Sequence, residues 1–260
     1  VIVHDINSFK NDDIGWVRWV VINVLCKMVV VHNEYSKEKL LSITSVKVAD
    51  KIRVFKHGGI DSPGKPTFDF LAENGLPKDR AYFLMFGQLK AVKGLDILLE
   101  ALEVLPDNLN LIIAGRDCDG ELLRNEALLN SSSLKHRIHI FNKFITDEEK
   151  NALFSQCQLV VLPYTEIYES GVLLSAMSLG CPVVVSNLPA FLRIVDHRKN
   201  GVIFRSGEHT DLARILLECS ESKRLREKIG SNARLYISEN FSWNVIGAEY
   251  IHEVRSLNNK

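Results

Sequence analysis

Short apolar runs alternate with amphipathic stretches along most of the chain, the pattern of parallel strands joined by crossover helices. The clearest unit is LVVLPYTEIYESGVLLSAMSLGCPVVVSNL, from Leu159 to Leu188. Its Val-rich run at Leu159 to Leu162 predicts a buried strand, and Tyr164 to Glu169 a polar turn. Apolar positions Val172, Leu173, Ala176, Met177 and Leu179 predict a helix opening at Ser170-Gly171. After Gly180, Pro182 to Ser186 predicts a second buried strand.

The same alternation extends in both directions. Val1 to Gly59 reads as strand (1–5), helix (13–26), strand (28–32), helix (36–46, capped by Ser36) and strand (52–56), half of a doubly wound sheet. A fresh series runs through strand 81–86, helix 93–105, strand 109–114, helix 120–129, strand 137–141 and helix 147–155. Thr146 with Glu149 forms a capping box ahead of that last helix. A short helix near 189–195, a strand at 201–204 and helices from Thr210, Lys223 and Trp243 complete the chain. Trp243, Ile246, Tyr250 and Val254 recur at helical spacing, the mark of a packing stripe.

The expected fold class is therefore α/β, with two Rossmann-like doubly wound parallel-sheet domains, the first incomplete. Gly58, Gly59, Pro63, Gly64, Pro66, Gly75 and Pro77 cluster at the join and predict a linker. Residues 1–62 are expected to be the remaining part of the first domain and 63–240 the second, with 241–260 a helix packing back on the first. A strand-like start at Val1, without Met, leads us to expect a fragment.

Composition narrows the function classes. At 46% hydrophobic and 25% charged residues the chain reads as globular rather than disordered. With 32 basic against 32 acidic side chains, net charge is zero, so no global field attracts nucleic acid and any anion must be held locally. Cys26, Cys118, Cys157, Cys181 and Cys219 are widely spaced within apolar patterns; they read as core thiols of a reducing cytoplasm, not as a zinc site or disulfide framework. Trp16 to Val31 is interrupted by Arg18, Asn23 and Lys27 and makes a poor membrane span.

Candidate chemistry lies where strands end and helices begin. A helix starting at Ser170 would leave the amides of Gly171 and Val172 pointing out of its positive end, where an anion fits. Taken alone, Ser170-Gly171 reads as an ordinary helix start. FGQLKAVKG offers Gly87, Gln88, Lys90 and Lys93 after one strand, and AGRDCDG offers Gly115 and Arg116 after the next; each, taken singly, is equally a plain turn. His4 ends the first strand as either a sugar contact or a partly buried histidine. HGGID, from His57, sits at the join. His136, His139, His197, His209 and His252 lack metal-ligand spacing. Neither a P-loop nor a GxGxxG fingerprint is present, which counts against ATP hydrolysis and nicotinamide chemistry.

Together these segments resemble the retaining, nucleotide-sugar-dependent glycosyltransferases of family 4, often called group 1, whose architecture is GT-B. FGQLKAVKGLDILLEAL, LIIAGRDCDG, VVLPY…SGVLLSAMSLGCPVVVSN, NGVIFRSG and the closing FSW helix have ordered counterparts there, and VIVHDI, VVVHNEYSKEKL and KIRVFKHGGID match its acceptor-side domain. The resemblance implies transfer of a sugar from a UDP- or GDP-sugar, with no metal or other cofactor, to a glycan or lipid-linked acceptor. It also implies a cytoplasmic enzyme of cell-surface polysaccharide synthesis, in peripheral contact with the inner face of a membrane. The donor diphosphate would meet Lys93, Lys90 and the backbone at Ser170, Gly171 and Val172, and His4 would meet the sugar. The family's two glutamates fall at Ile167 and Ser175, with Glu166 and Glu169 as neighbouring substitutes, and its usual arginine is Gln88. A non-catalytic GT-B partner subunit with a decayed donor site, and a GT-B epimerase, stay open as other readings.

Overall fold

In the computed structural model, the described residues are 20–44, 46–56, 58 and 68–258. The elements read at residues 1–19, His4 included, and most of HGGID lie outside them. The chain divides into two compact units, Val1–Gly59 with Glu239–Lys260, and Ile60–Ser238.

In the first unit, a π-helical turn (Val21–Leu25) precedes strand β1 (Val29–Val31), helix α1 (Glu34–Ile43), a 3₁₀ turn (Val46–Lys51) and strand β2 (Ile52–Val54). β1 and β2 pair in parallel, and Ile22, Val29, Val31, Leu40, Val48 and Ile52 form the core between sheet and helix. Ser36 does not cap α1. Asn33, in extended conformation, accepts the Ser36 amide at 2.7 Å, so the cap lies three residues earlier than expected and the helix begins at Glu34.

The second unit carries a six-stranded, all-parallel sheet: β3 (Ala81–Phe86), β4 (Leu109–Ala114), β5 (Ile138–Phe141), β6 (Leu159–Leu162), β7 (Val183–Ser186) and β8 (Val202–Phe204). Its order, β5-β4-β3-β6-β7-β8, reverses direction between β3 and β6, the doubly wound arrangement. Helices α2 (Phe70–Glu73), α3 (Leu95–Glu103), α4 (Glu121–Arg124), α5 (Glu126–Leu129), α6 (Asp147–Gln156), α7 (Gly171–Ser178), α8 (Pro189–Leu192), α9 (His209–Glu221) and α10 (Lys223–Asn240) follow in turn.

Side-chain alternation along β3 sends the chain's apolar residues to both faces. Phe83 and Met85 join Leu98 and Leu102 of α3 and Leu212 and Leu216 of α9 in one core. On the other face Phe86 meets Phe154 of α6 edge-on at 5.1 Å, and Phe70 of α2 meets Phe141 at 4.8 Å. Burial on both sides is why these strands read as continuous apolar runs. The capping box forms: Thr146 accepts from the Glu149 amide, and the Glu149 side chain accepts from the Thr146 amide at 2.8 Å.

Two expectations change in this unit. The helix read over 120–129 is broken at Asn125, whose side-chain amide donates to the Glu121 carbonyl at 2.9 Å and competes with the helical ladder. Cys118 is exposed on a polar loop rather than in the core, while Cys157, Cys181 and Cys219 are buried. The last helix, α11 (Trp243–Asn258), belongs to the first unit: Tyr250 stacks on Phe55 at 4.0 Å, and Arg53 pairs with Glu253.

Candidate functional site

Because β3 and β6 lie side by side while their connections leave in different directions, the carboxyl ends of β3, β4 and β6 face one crevice. The loops that follow them are tied together. The Gly87 amide donates to the Ala114 carbonyl at 2.9 Å, Leu89 to Arg116 at 2.7 Å, and Cys118 to Leu89 at 3.1 Å. The Thr165 amide donates to the Val92 carbonyl at 2.9 Å, joining the loop after β6 to the loop after β3. Two glycines make this possible. At Gly94 (φ +66°) a Cβ would run into the Pro163 carbonyl, and at Gly115 (φ +144°) into that of Gly87.

Lys93 closes a 3₁₀ turn (Ala91–Lys93) ahead of α3. Its ammonium donates to the Phe86 carbonyl at 3.4 Å and stands 5.3 Å from the centre of the Tyr164 ring. A Cβ at Gly87 would lie 3.0 Å from Lys93 Nζ and 3.4 Å from Val172 Cγ2, so the lysine and the first turn of α7 flank the same spot. Burial, with the charge of Lys90 adding to it, brings the Lys93 ammonium down to about 8; Cys118 acts the other way. Among the described residues, no carboxylate belongs to the charges that reach it.

The start of α7 supplies the other half. Ser170 Oγ accepts the Leu173 amide at 3.2 Å and caps the helix. The amides of Gly171 and Val172 are first-turn donors without intrahelical acceptors. Gly171 is exposed, with nothing within 4 Å of the place its side chain would take. A half-buried cation, helix-end amides and open space are what an anionic group needs.

Gly87, Lys93, Ser170, Gly171 and Val172 are thus brought together. Lys90, half-buried, acts on Lys93 through its charge. Gly115 packs on Gly87, while Gln88 and Arg116 are exposed, the Arg116 guanidinium 6.0 Å from the Phe144 ring centre. Glu166 is exposed on the loop after β6, and Glu169 is half-buried next to the cap. Ser175 is buried, and its hydroxyl donates to the Gly171 carbonyl of its own helix at 2.7 Å. Among the described residues no cluster of three His, Cys, Asp or Glu could hold a metal ion.

Sequence reasoning missed Asp117. Its carboxylate accepts the amides of Glu121 at 2.9 Å, Leu122 at 3.0 Å and Asp119 at 3.3 Å, and so builds the start of α4 beside the crevice. Burial opposes its ionisation, yet these amides hold the carboxyl below its ordinary range. An Asp shortly before a glycine turn and a helix was the available signal.

The family model described as Glycosyl transferases group 1 matches residues 67–236. The chain belongs to this family. An uncharacterized glycosyltransferase of Methanocaldococcus jannaschii is 27% identical over 237 residues, 87% of this chain and 59% of that one. A phosphatidyl-myo-inositol mannosyltransferase of Propionibacterium freudenreichii is 35% identical over 111 residues, 41% of this chain and 28% of that one. The group 1 chain thus spans well under two thirds of these curated relatives. Among solved structures, Anabaena HepE, in complex with UDP and glucose, superposes with a TM-score of 0.83 at 22% identity, covering 98% of this chain and 71% of that one. The fold of this group 1 family member is that of the GT-B enzymes.

Proposed function

We propose that this group 1 chain transfers a hexose, with retention at the anomeric carbon, from a nucleotide diphosphate donor to a glycan or lipid-linked acceptor in cell-surface polysaccharide synthesis. The observation that carries this reading is the Lys93 ammonium, set at Gly87 against Val172 in the first turn of α7, with open space next to it at Gly171. As the bond from sugar to diphosphate breaks and the acceptor oxygen takes its place on the same face, negative charge grows on the leaving diphosphate. Lys93, Lys90 and the backbone of Ser170, Gly171 and Val172 would meet that charge with donors already in position. Gly87, Gln88, Gly115, Arg116 and Ser175 would shape the remaining donor contacts, and His4, Glu166 and Glu169 would face the sugar.

We assign the donor to residues 63–240, the acceptor to residues 1–62, and to residues 241–260 a helix that packs back on that first part. One relative's name specifies a mannosyltransferase, and HepE was solved with UDP and glucose; both support a hexose carried on a nucleotide diphosphate. The cytoplasm is the proposed setting, since all five thiols are free. Among the described residues no helix is long and apolar enough to cross a membrane, which leaves peripheral contact as the proposed mode of reaching a lipid-linked acceptor.

Calorimetric titration of the full chain with UDP and with GDP tests the reading. At least one should bind, and Lys93→Ala should weaken it tenfold or more, the worth of about 1.5–3 kcal/mol for a charged hydrogen bond. Unchanged affinity would remove Lys93 from the site. The inward turn of Ser175 and the exposure of Gln88 favour a second reading, a non-catalytic partner subunit. Absence of binding for both nucleotides would support it.

A further inference from the structure

Tyr164 stands between Lys93 and Ser170, the two halves of the site. It follows Pro163 beyond the end of β6 and is 2% exposed. Its carbonyl oxygen accepts from Ser186 Oγ at 2.6 Å and from Ser206 Oγ at 3.2 Å, and its ring packs against Phe191 at 5.5 Å. The same ring has the Lys93 ammonium 5.3 Å from its centre.

Its hydroxyl is different. It is buried and makes no hydrogen bond among the described residues, although Ser170 stands near enough to act on it. Burial pushes this phenol up, and Ser170 offsets part of that rise. A buried hydroxyl left unpaired costs about 1–3 kcal/mol, and Phe would fill the same space without that cost. A second state in which the hydroxyl is satisfied accounts for its presence.

Ser170 can supply that state. Its oxygen now accepts only the Leu173 amide, while a serine hydroxyl has a second lone pair and a proton to give. An anion at the amides of Gly171 and Val172 would draw the Ser170 proton outward, opening the oxygen to the tyrosine behind it. We infer that Tyr164 is a positioning residue of the donor site, completing a chain from Tyr164 O–H to Ser170 O–H to a phosphate oxygen when a diphosphate binds. Its ring keeps the Lys93 ammonium in place in both states. Such a chain strengthens each of its bonds. The inference rests on the diphosphate reading above and adds a residue to it.

The test is a double-mutant cycle on the full chain, with UDP, or GDP if it binds more tightly, as the calorimetric probe. Tyr164→Phe removes one unpaired oxygen and keeps the ring, so this variant folds, with a melting temperature equal to the parent's or higher. It should bind the nucleotide five- to tenfold more weakly. In a Ser170→Ala background the same substitution should change affinity less than twofold, because the link to the phosphate is already cut. An equal loss in both backgrounds, or no loss in either, would overturn the inference. Lys93→Ala separates the two levels: if it weakens binding while Tyr164→Phe does not, the chain of hydrogen bonds is wrong and the donor reading stands. If the parent binds neither nucleotide, both are refuted.

Discussion

At the scale of single residues, the proposed donor site turns on Lys93. Its ammonium sits near 8 in the free chain because burial and Lys90 oppose the charge, with the Phe86 carbonyl, the Tyr164 ring and the Cys118 thiol also facing it. The unfolded chain, with an ordinary lysine, holds this proton up to a higher pH than the folded chain does. Folding is therefore disfavoured by Lys93 below pH 8, and the cost fades as pH rises through 8 toward 10. A bound diphosphate reverses the preference and draws the proton back. UDP binding should take up a proton between about pH 8 and 9, well above the phosphate's own titration near 6, and its affinity should fall as pH rises through 8. Calorimetry in buffers of different ionisation enthalpy reads that uptake directly; a pH-independent affinity with no buffer dependence would contradict it. The same residue shows what a sequence can reveal. Lys93 and the glycines were legible, since their types alone suit an anion. Tyr164 was not, because its role depends on Lys93, which only the fold brings near; Asp117 bonds amides two to five residues further on, a local signal that the reading passed over.

At the scale of elements, the strands were the most legible part. Ala81–Phe86, Leu109–Ala114 and Leu159–Leu162 fall where the apolar runs place them, because strands covered on both faces end abruptly at polar or glycine positions. Short helices were harder. Phe70–Glu73 lies in a stretch rich in Gly and Pro and is held by burial of Phe70 and Leu71, a tertiary effect with too few residues to show a period. Arg137 illustrates another interaction without a local signal. It is fully buried before β5, donating from Nε to the Leu109 carbonyl at 2.9 Å, from one terminal nitrogen to Leu105 at 3.1 Å, and from the other to Pro106 at 3.0 Å. It therefore fastens the end of α3 to the start of β4. Arg137→Met leaves three carbonyls without this donor and should cost about 3 kcal/mol in urea unfolding. A change within 0.5 kcal/mol would show that those carbonyls find water instead.

For the whole molecule, equal numbers of basic and acidic side chains leave no long-range field to gather anions. The proposed grip on a nucleotide would then be short-ranged and, around the half-buried Lys93, weakly screened. Raising NaCl from about 50 to 500 mM should reduce UDP affinity by no more than about threefold, whereas a phosphate-tracking basic surface loses orders of magnitude. A hundredfold fall would mean that an exposed patch, not this crevice, holds the ligand. Every described group proposed to hold the donor, from Gly87 to Ser175, falls within the unit Ile60–Ser238. On the proposed assignment of the acceptor to residues 1–62, selection could retune the nucleotide without disturbing the recipient of the sugar, and the two preferences would be free to drift apart over a lineage.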